Sequence, residues 1–548
     1  MTGTKIDNIS NPKEMDQKEQ FDRKWNMDKV LLRTFLLITC IKALLIPCYY
    51  STDFEVHRNW LAITYSLPIS EWYINAKSQW TLDYPPFFAW FEYALSQVAS
   101  LFDEEMVKID NLNYASSTTV YFQRTTVILS DLMFAYGIRE LGEVFYKSYN
   151  SYCVFIFLSL CNIGLLIVDH IHFQYNGFLL GFLLLSIAKV SKTWDQVNYK
   201  RYYVNGRVII NDNNLQISML QGAACFAILL NLKHIYLYVA PAYIVWLLKS
   251  YCIKNGQFFK RIFILATIIA TIFVLSFGPF INQLPQIISR LFPFKRGLVH
   301  AYWAANGWAL YVITDKILSI ILKYLGWIKI VKSAIMTGGL VQEEIFIVLP
   351  TPKPITTFVL TFIGMVPALY VLLCKKFAIT SKHFLRCLIL CALTSFIFGW
   401  HVHEKAVLTA IIPLCVLAAV DINDARIYII LSSAGYTSLL PLLYPDNLTP
   451  LKLLLLILHI FSSNLILQYQ FKKSLLHLHE FLYVSVLPLI AAYESILHKC
   501  FFNDKLPFLP LALISIYCAI GIIYSWFLSY YYFLCDHDNK KKRRIKQK

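Results

Sequence analysis

Apolar residues gather into long runs separated by short polar stretches, and each run approaches the length that crosses a bilayer. The first is Val30–Tyr50. Tyr121–Leu141, Tyr152–Val168, Phe173–Val190, Leu215–Leu232, Ile235–Leu248 and Ile262–Ile281 follow. The second half holds Phe358–Cys374, Phe384–Trp400, Ala406–Val420, Ile427–Leu443, Leu451–Tyr469, Leu475–Tyr493 and Leu511–Leu534. At roughly 20 apolar residues per span, this predicts about fourteen transmembrane helices. They must be helices, because lipid offers no partner for unpaired backbone groups.

The charged positions orient these spans. Lys192, Lys200, Arg201 and Arg207 share one loop, and Lys254, Lys260 and Arg261 share another. Lys375, Lys376 and Lys382 mark a third, Lys472 and Lys473 a fourth. Strict alternation puts all four on the same side as both termini, and the positive-inside rule makes that side cytosolic. Two long segments, 51–120 and 282–357, then fall on the lumenal side. Each carries Trp, Tyr and Phe punctuated by Pro and Gly, which predicts structured loops with helices lying on the membrane surface. Loops of this length usually carry function. The organisation expected is a polar cytosolic tail (1–29), a single membrane domain (30–534) and a basic cytosolic tail (535–548). The sequence Asn447-Leu448-Thr449 is a glycosylation sequon in a lumenal turn. The C-terminal Arg544 and Lys546 fit either a positive-inside anchor or a retrieval signal of the dilysine type.

Composition agrees with a membrane body. Of 548 residues, 57% are hydrophobic and 15% charged, where a soluble protein carries roughly 25% charge. The net charge of +17 lies in short loops and the C-terminal tail, with no aromatic-interleaved basic groove. Nucleic acid is therefore not an expected partner. The 13 cysteines lie mostly within apolar runs, contain no CxxC pair, and read as packing residues.

Polar chemistry concentrates on the lumenal side. Asp53, Glu55, His57, Arg58 and Asn59 follow the first span. Asp53 suits a helix cap, with Thr52 and Glu55 at capping-box spacing, and equally a general base; a capped carboxylate is a rigid one. Asp83 precedes Pro85-Pro86, a helix start. Arg290, Lys295 and Arg296 form a cationic cluster on the side that disfavours cations, which points to an anionic partner such as phosphate. Asp169, His170 and His172 make a polar knot, and His401-Val402-His403-Glu404-Lys405 sets four ionisable groups at a span boundary, a costly place for charge. The spacing of His401 and His403 is not that of a metalloprotease, and no metal is expected.

These motifs carry a resemblance. Asp53-Phe54-Glu55 through Arg58 and Trp60, Leu82-Asp83-Tyr84-Pro85-Pro86, Arg124-Thr125-Thr126-Val127 with Ser130-Asp131, His172-Phe173-Gln174-Tyr175-Asn176-Gly177, Phe292-Pro293-Phe294-Lys295-Arg296-Gly297 and His403-Glu404-Lys405 resemble the endoplasmic-reticulum alpha-1,3-glucosyltransferases of N-glycan assembly. The stretches Thr52–Trp60 and His300–Tyr311 look like the member that adds the second glucose; Ala305-Asn306-Gly307 departs from its pattern. The resemblance implies an all-α membrane protein of the GT-C type, a helix bundle with two structured lumenal loops. It implies an inverting transfer of glucose from dolichyl-phosphate glucose to the monoglucosylated oligosaccharide on dolichyl pyrophosphate, in the endoplasmic-reticulum membrane and without a cofactor. Asp53 matches the family's base. Glu55, Arg58, Asp83, Arg290, Arg296, His401, His403 and Glu404 are the expected substrate-binding set, with Arg290, Arg296, His401 and His403 as the cations for the lipid phosphate. Three alternatives stay open: the first-glucose enzyme, a lipid-linked-sugar transporter, which would show internal repeats, and a structural subunit, in which Asp53 has no special role.

Overall fold

The computed structural model describes residues 12–192, 201–204, 207–210, 213–253, 257–292, 297–299, 303–328, 346–374, 380–503 and 505–545. Every apolar run lies largely on helix. Among the described residues, nine helical stretches are long and apolar enough to cross a membrane, from Tyr149–Phe173 to Leu509–Cys535. The other expected runs are also helical but shorter or more charged. Val30–Leu44 of the first run falls in α1 (Pro12–Leu44), its last six residues leaving the helix through a turn, and Tyr121–Leu141 falls in α4 (Ser117–Phe145), with α2 (Thr52–Ser66) and α3 (Pro86–Phe102) between them. Others fall in Asn176–Ser191, Leu408–Ala418 and Ile422–Thr437.

Burial sorts inner helices from outer ones. The apolar window of Tyr149–Phe173 is 83% buried and that of Ser381–Phe398 78%; that of Phe258–Leu291 is 6% buried. Phe259, Phe263 and Leu275 are exposed on that last helix. So much exposed apolar surface is stable against lipid rather than water. Inside, small residues let backbones approach. Gly137 of α4 faces Gly181 of the helix Asn176–Ser191, and a Cβ on Gly181 would come 2.5 Å from the backbone of Met133. A buried ion pair, Lys42 to Asp131 at 2.5 Å, ties α1 to α4.

Strand pairing among the described residues is confined to one hairpin and one bridge. β1 (Arg201–Val204) pairs antiparallel with β2 (Arg207–Ile210), inside a segment expected to be a plain basic loop. The sequence Asn205-Gly206 between two runs rich in Val, Ile and Tyr is the hairpin signal that hydropathy alone passes over. The bridge joins Val299 to Val402.

The described parts of the two long loops are folded and joined by hydrogen bonds. Pro85 caps α3 with Pro86 at its first turn, as the Pro-Pro pair predicts. α2 packs on α3, joined by a buried bond from His57 Nδ1 to Glu92 Oε1 at 2.6 Å. The second loop grips the first through Gln283, whose side chain accepts from Tyr73 N at 3.1 Å and donates to Ile69 O at 3.0 Å. At the other end of the bundle, Arg139–Asp28, Lys189–Glu140 and Arg386–Asp424 pair the loop charges.

Candidate active site

The site starts with the cap of α2. Ser51 is extended, and its Oγ accepts from Asp53 N at 3.1 Å. Its own hydroxyl donates to His172 O at 2.5 Å, and its backbone N–H reaches the same carbonyl at 3.2 Å. The Thr52–Glu55 capping box expected from spacing is therefore not the device used. Ser51 does that work, and the Asp53 carboxylate is released for other partners.

Those partners come from two distant segments. Asp53 Oδ2 accepts from Lys405 Nζ at 2.5 Å and from Gln174 Nε2 at 2.7 Å, and meets His172 Nε2 at 3.1 Å. Lys405 Nζ also lies 3.2 Å from His172 Nε2. Asp53 Oδ1 takes no hydrogen bond from any described residue, and the side chain keeps partial exposure. Burial on its own would raise the Asp53 carboxyl. The Lys405 ammonium and His172 outweigh it and hold this group well below the usual carboxylate range.

Local backbone shape aims these groups. Leu166–Phe173 winds as a π-helix, a form that gathers at functional sites. It ends in Phe173 with φ of 104°, a strained value for a bulky residue. That turn throws His172 and Gln174 toward Asp53. Arg124 secures it, donating to Ile171 O at 2.6 Å, Asp169 O at 3.3 Å and Tyr49 O. Beyond it, Asn176 Nδ2 donates to Gln174 Oε1 and Asp169 Oδ1, both at 2.8 Å. Lys405 arrives from a turn in which His401 has φ of 48°.

The other expected residues divide. Arg58 is fully buried, donates to both Glu55 oxygens at 2.6 and 2.8 Å, and reaches the carbonyls of Met106 and Lys108. Glu55 is two positions from Asp53, about 200° round the helix, so this pair fastens α2 to the turn Glu104–Val107 and stands apart from the Asp53 cluster. Arg290 donates to the carbonyls of Leu82, Ile74 and Asn75 at 2.9–3.3 Å. It pins the first loop, and Asp83 acts on it electrostatically. His401 donates from Nδ1 to Gly297 O at 2.7 Å, its ring edge-on to that of His403 at 5.7 Å. Glu404 is buried and acts electrostatically on His172. Arg296 lies outside the described residues, as do Lys295 and His300. Among the described residues no group of three His, Cys, Asp or Glu is placed for a metal.

Three residues of the cluster are absent from the expected binding set, and a fourth lies beside it, with Lys233 Nζ 3.3 Å from Asn176 Oδ1. His172 lies in the polar knot, Gln174 in the motif that continues it, and Lys405 in the ionisable run. The fourth, Lys233, is a lone lysine between two apolar runs. By the expected alternation of spans it falls on the same side as the two long loops, where the positive-inside trend disfavours a cation, and that is its signal.

A helical membrane body with a carboxylate held by a lysine, a histidine and an amide outside its spans fits a polytopic membrane glycosyltransferase of the GT-C type. The chain belongs to the ALG6, ALG8 glycosyltransferase family, whose profile matches residues 38–529. It is 49% identical over 532 residues to a Bos taurus protein named dolichyl pyrophosphate Glc1Man9GlcNAc2 alpha-1,3-glucosyltransferase, covering 92% of this chain and 96% of that one. A Drosophila melanogaster relative named as a probable enzyme of that kind is 45% identical, covering 91% and 93%. The Arabidopsis thaliana protein of the same name is 42% identical, covering 93% and 98%.

Proposed function

We propose that this chain is the alpha-1,3-glucosyltransferase that adds the second glucose to the lipid-linked oligosaccharide, using dolichyl-phosphate glucose on the lumenal face of the endoplasmic-reticulum membrane. One observation carries the reading: Asp53 Oδ2 is held by Lys405, Gln174 and His172, three groups that favour its charged form. The names of the relatives support the monoglucosylated acceptor.

The chemistry follows from that carboxylate. A sugar hydroxyl is a weak nucleophile. Asp53, through Oδ1, takes its proton as the hydroxyl oxygen bonds the anomeric carbon, and the bond from that carbon to the phosphate oxygen breaks. A positioned base of this kind contributes roughly 10²–10⁴ in rate. Lys405 keeps Asp53 charged and makes it a weak base, so proton transfer falls late, when bond formation has made the hydroxyl acidic. The leaving phosphate departs without a proton and needs cationic donors. A single displacement on a β-linked donor yields the α linkage. Asp83 and Glu404 orient neighbouring cations, and Glu55 and Arg58 hold the helix that carries the base.

The test is transfer by purified protein from dolichyl-phosphate glucose to unglucosylated and monoglucosylated acceptor lipids. Product from the monoglucosylated lipid alone is expected. Product from the unglucosylated lipid alone would make this the first-glucose enzyme.

A further inference from the structure

The reaction needs a cation for the donor's phosphate, and among the described residues most of the candidate cations on this face are already engaged. Lys405 is held by Asp53. Arg124 and Arg290 spend donors on backbone carbonyls, three each. Arg58 is locked to Glu55. His401 donates to Gly297 O.

Lys233 differs. It sits in the turn between the helix Asn213–Leu232 and the short 3-10 helix His234–Val239. Among the described residues its ammonium meets Asn176 Oδ1 at a long 3.3 Å and the face of Tyr84 at 4.8 Å, and no carboxylate stands within ion-pair distance. An ammonium has three donors, so at least one stays available for an oxygen ligand. The bonds Lys233–Asn176–Gln174–Asp53 run in series. They fix this cation relative to the base.

Resting on the glucosyl-transfer reading above, we propose that Lys233 binds the phosphate of the lipid-phosphate sugar donor, with Asn176 positioning it and the Tyr84 ring beneath it. The ligand class is a phosphodiester monoanion. The acceptor's pyrophosphate is the other phosphate in the reaction, but its reacting sugar lies at the far end of the glycan from that group. Electrostatics agree with an anion-seeking site. Burial, then the like charge of Lys405, push the Lys233 ammonium down to about 8. A bound anion would relieve both. The charged form exists below that value and is lost as pH rises through it, so donor binding weakens on the alkaline side. Asp53, Asp83, Asp169, Lys405 and Tyr84 also face Lys233, with His234 next in the chain. A Lys233→Arg variant therefore isolates its share, because arginine stays charged.

The experiment measures transfer by full-length wild-type, Lys233→Ala, Lys233→Arg and Asp53→Asn proteins, varying donor and acceptor separately, with dolichyl phosphate as competitor and thermal melting as a folding check. In Lys233→Ala the KM for donor and the inhibition constant for dolichyl phosphate should rise by roughly 10–100-fold, the scale of one charge-assisted hydrogen bond. The KM for acceptor should hold. Lys233→Arg should bind donor within a few-fold of wild type and lose the alkaline fall. An unchanged donor KM in a folded Lys233→Ala protein, or a rise confined to the acceptor, overturns the assignment while leaving glucosyl transfer intact. Absence of transfer by wild type overturns both.

Discussion

Lys405 Nζ meets Asp53 Oδ2 at 2.5 Å across 352 positions of sequence. One residue opens the first helix after the first apolar run; the other follows a span boundary far along the chain. The pair fixes the charge of the carboxylate and closes one loop system on another.

Removing that lysine should change when Asp53 titrates. Burial raises the carboxyl and Lys405 is the largest influence lowering it. In Lys405→Ala the carboxyl therefore rises, and the acid limb of kcat/KM moves to higher pH. The wild-type enzyme should show no Asp53 limb until below the ordinary aspartate value of about 3.9. A pH–rate profile of wild type and Lys405→Ala checks this; superimposable acid limbs would contradict it.

Glu55 and Arg58 should behave as structure. Arg58→Ala leaves the Glu55 carboxylate without its cation at a buried helix joint. Breaking a buried pair this way costs about 3–5 kcal/mol. The double variant Glu55→Ala with Arg58→Ala should recover part of that loss, because no lone charge remains. Melting temperatures of the single and double variants read the coupling. Losses that simply add would show that the two side chains act independently.

Gly181→Val should destabilise the bundle through contact alone. Its Cβ would meet the Met133 backbone at 2.5 Å, and backbone cannot swing aside as a side chain does. Overpacking of this kind costs typically 1–3 kcal/mol. The variant should melt earlier, with the KM of any folded fraction unchanged. Equal melting would show that α4 and its neighbour slide apart freely.

The bundle was legible because span length and apolar content are local properties, and every expected run falls largely on helix. Asp53 was legible through its motif, and so was the helix start at Pro85-Pro86. The contacts of the individual cations were not. Arg290 looked like a phosphate ligand by charge and side, yet its guanidinium holds carbonyls of the first loop. Which groups a cation satisfies depends on tertiary neighbours that spacing does not encode. Lys233 was hidden for the opposite reason: a single charge between two apolar runs looks like an ordinary span boundary. Ser51 was masked by its neighbours, since Thr52 with Glu55 offered the more familiar cap.

The central claim is that the Asp53 carboxylate takes the proton from the acceptor. Purified wild-type and Asp53→Asn proteins, both checked by melting, should be compared for glucose transfer from dolichyl-phosphate glucose to the monoglucosylated lipid. Transfer should fall by at least about 10²-fold in the variant, with donor KM little changed. A folded Asp53→Asn protein that transfers glucose within a few-fold of wild type would contradict the account.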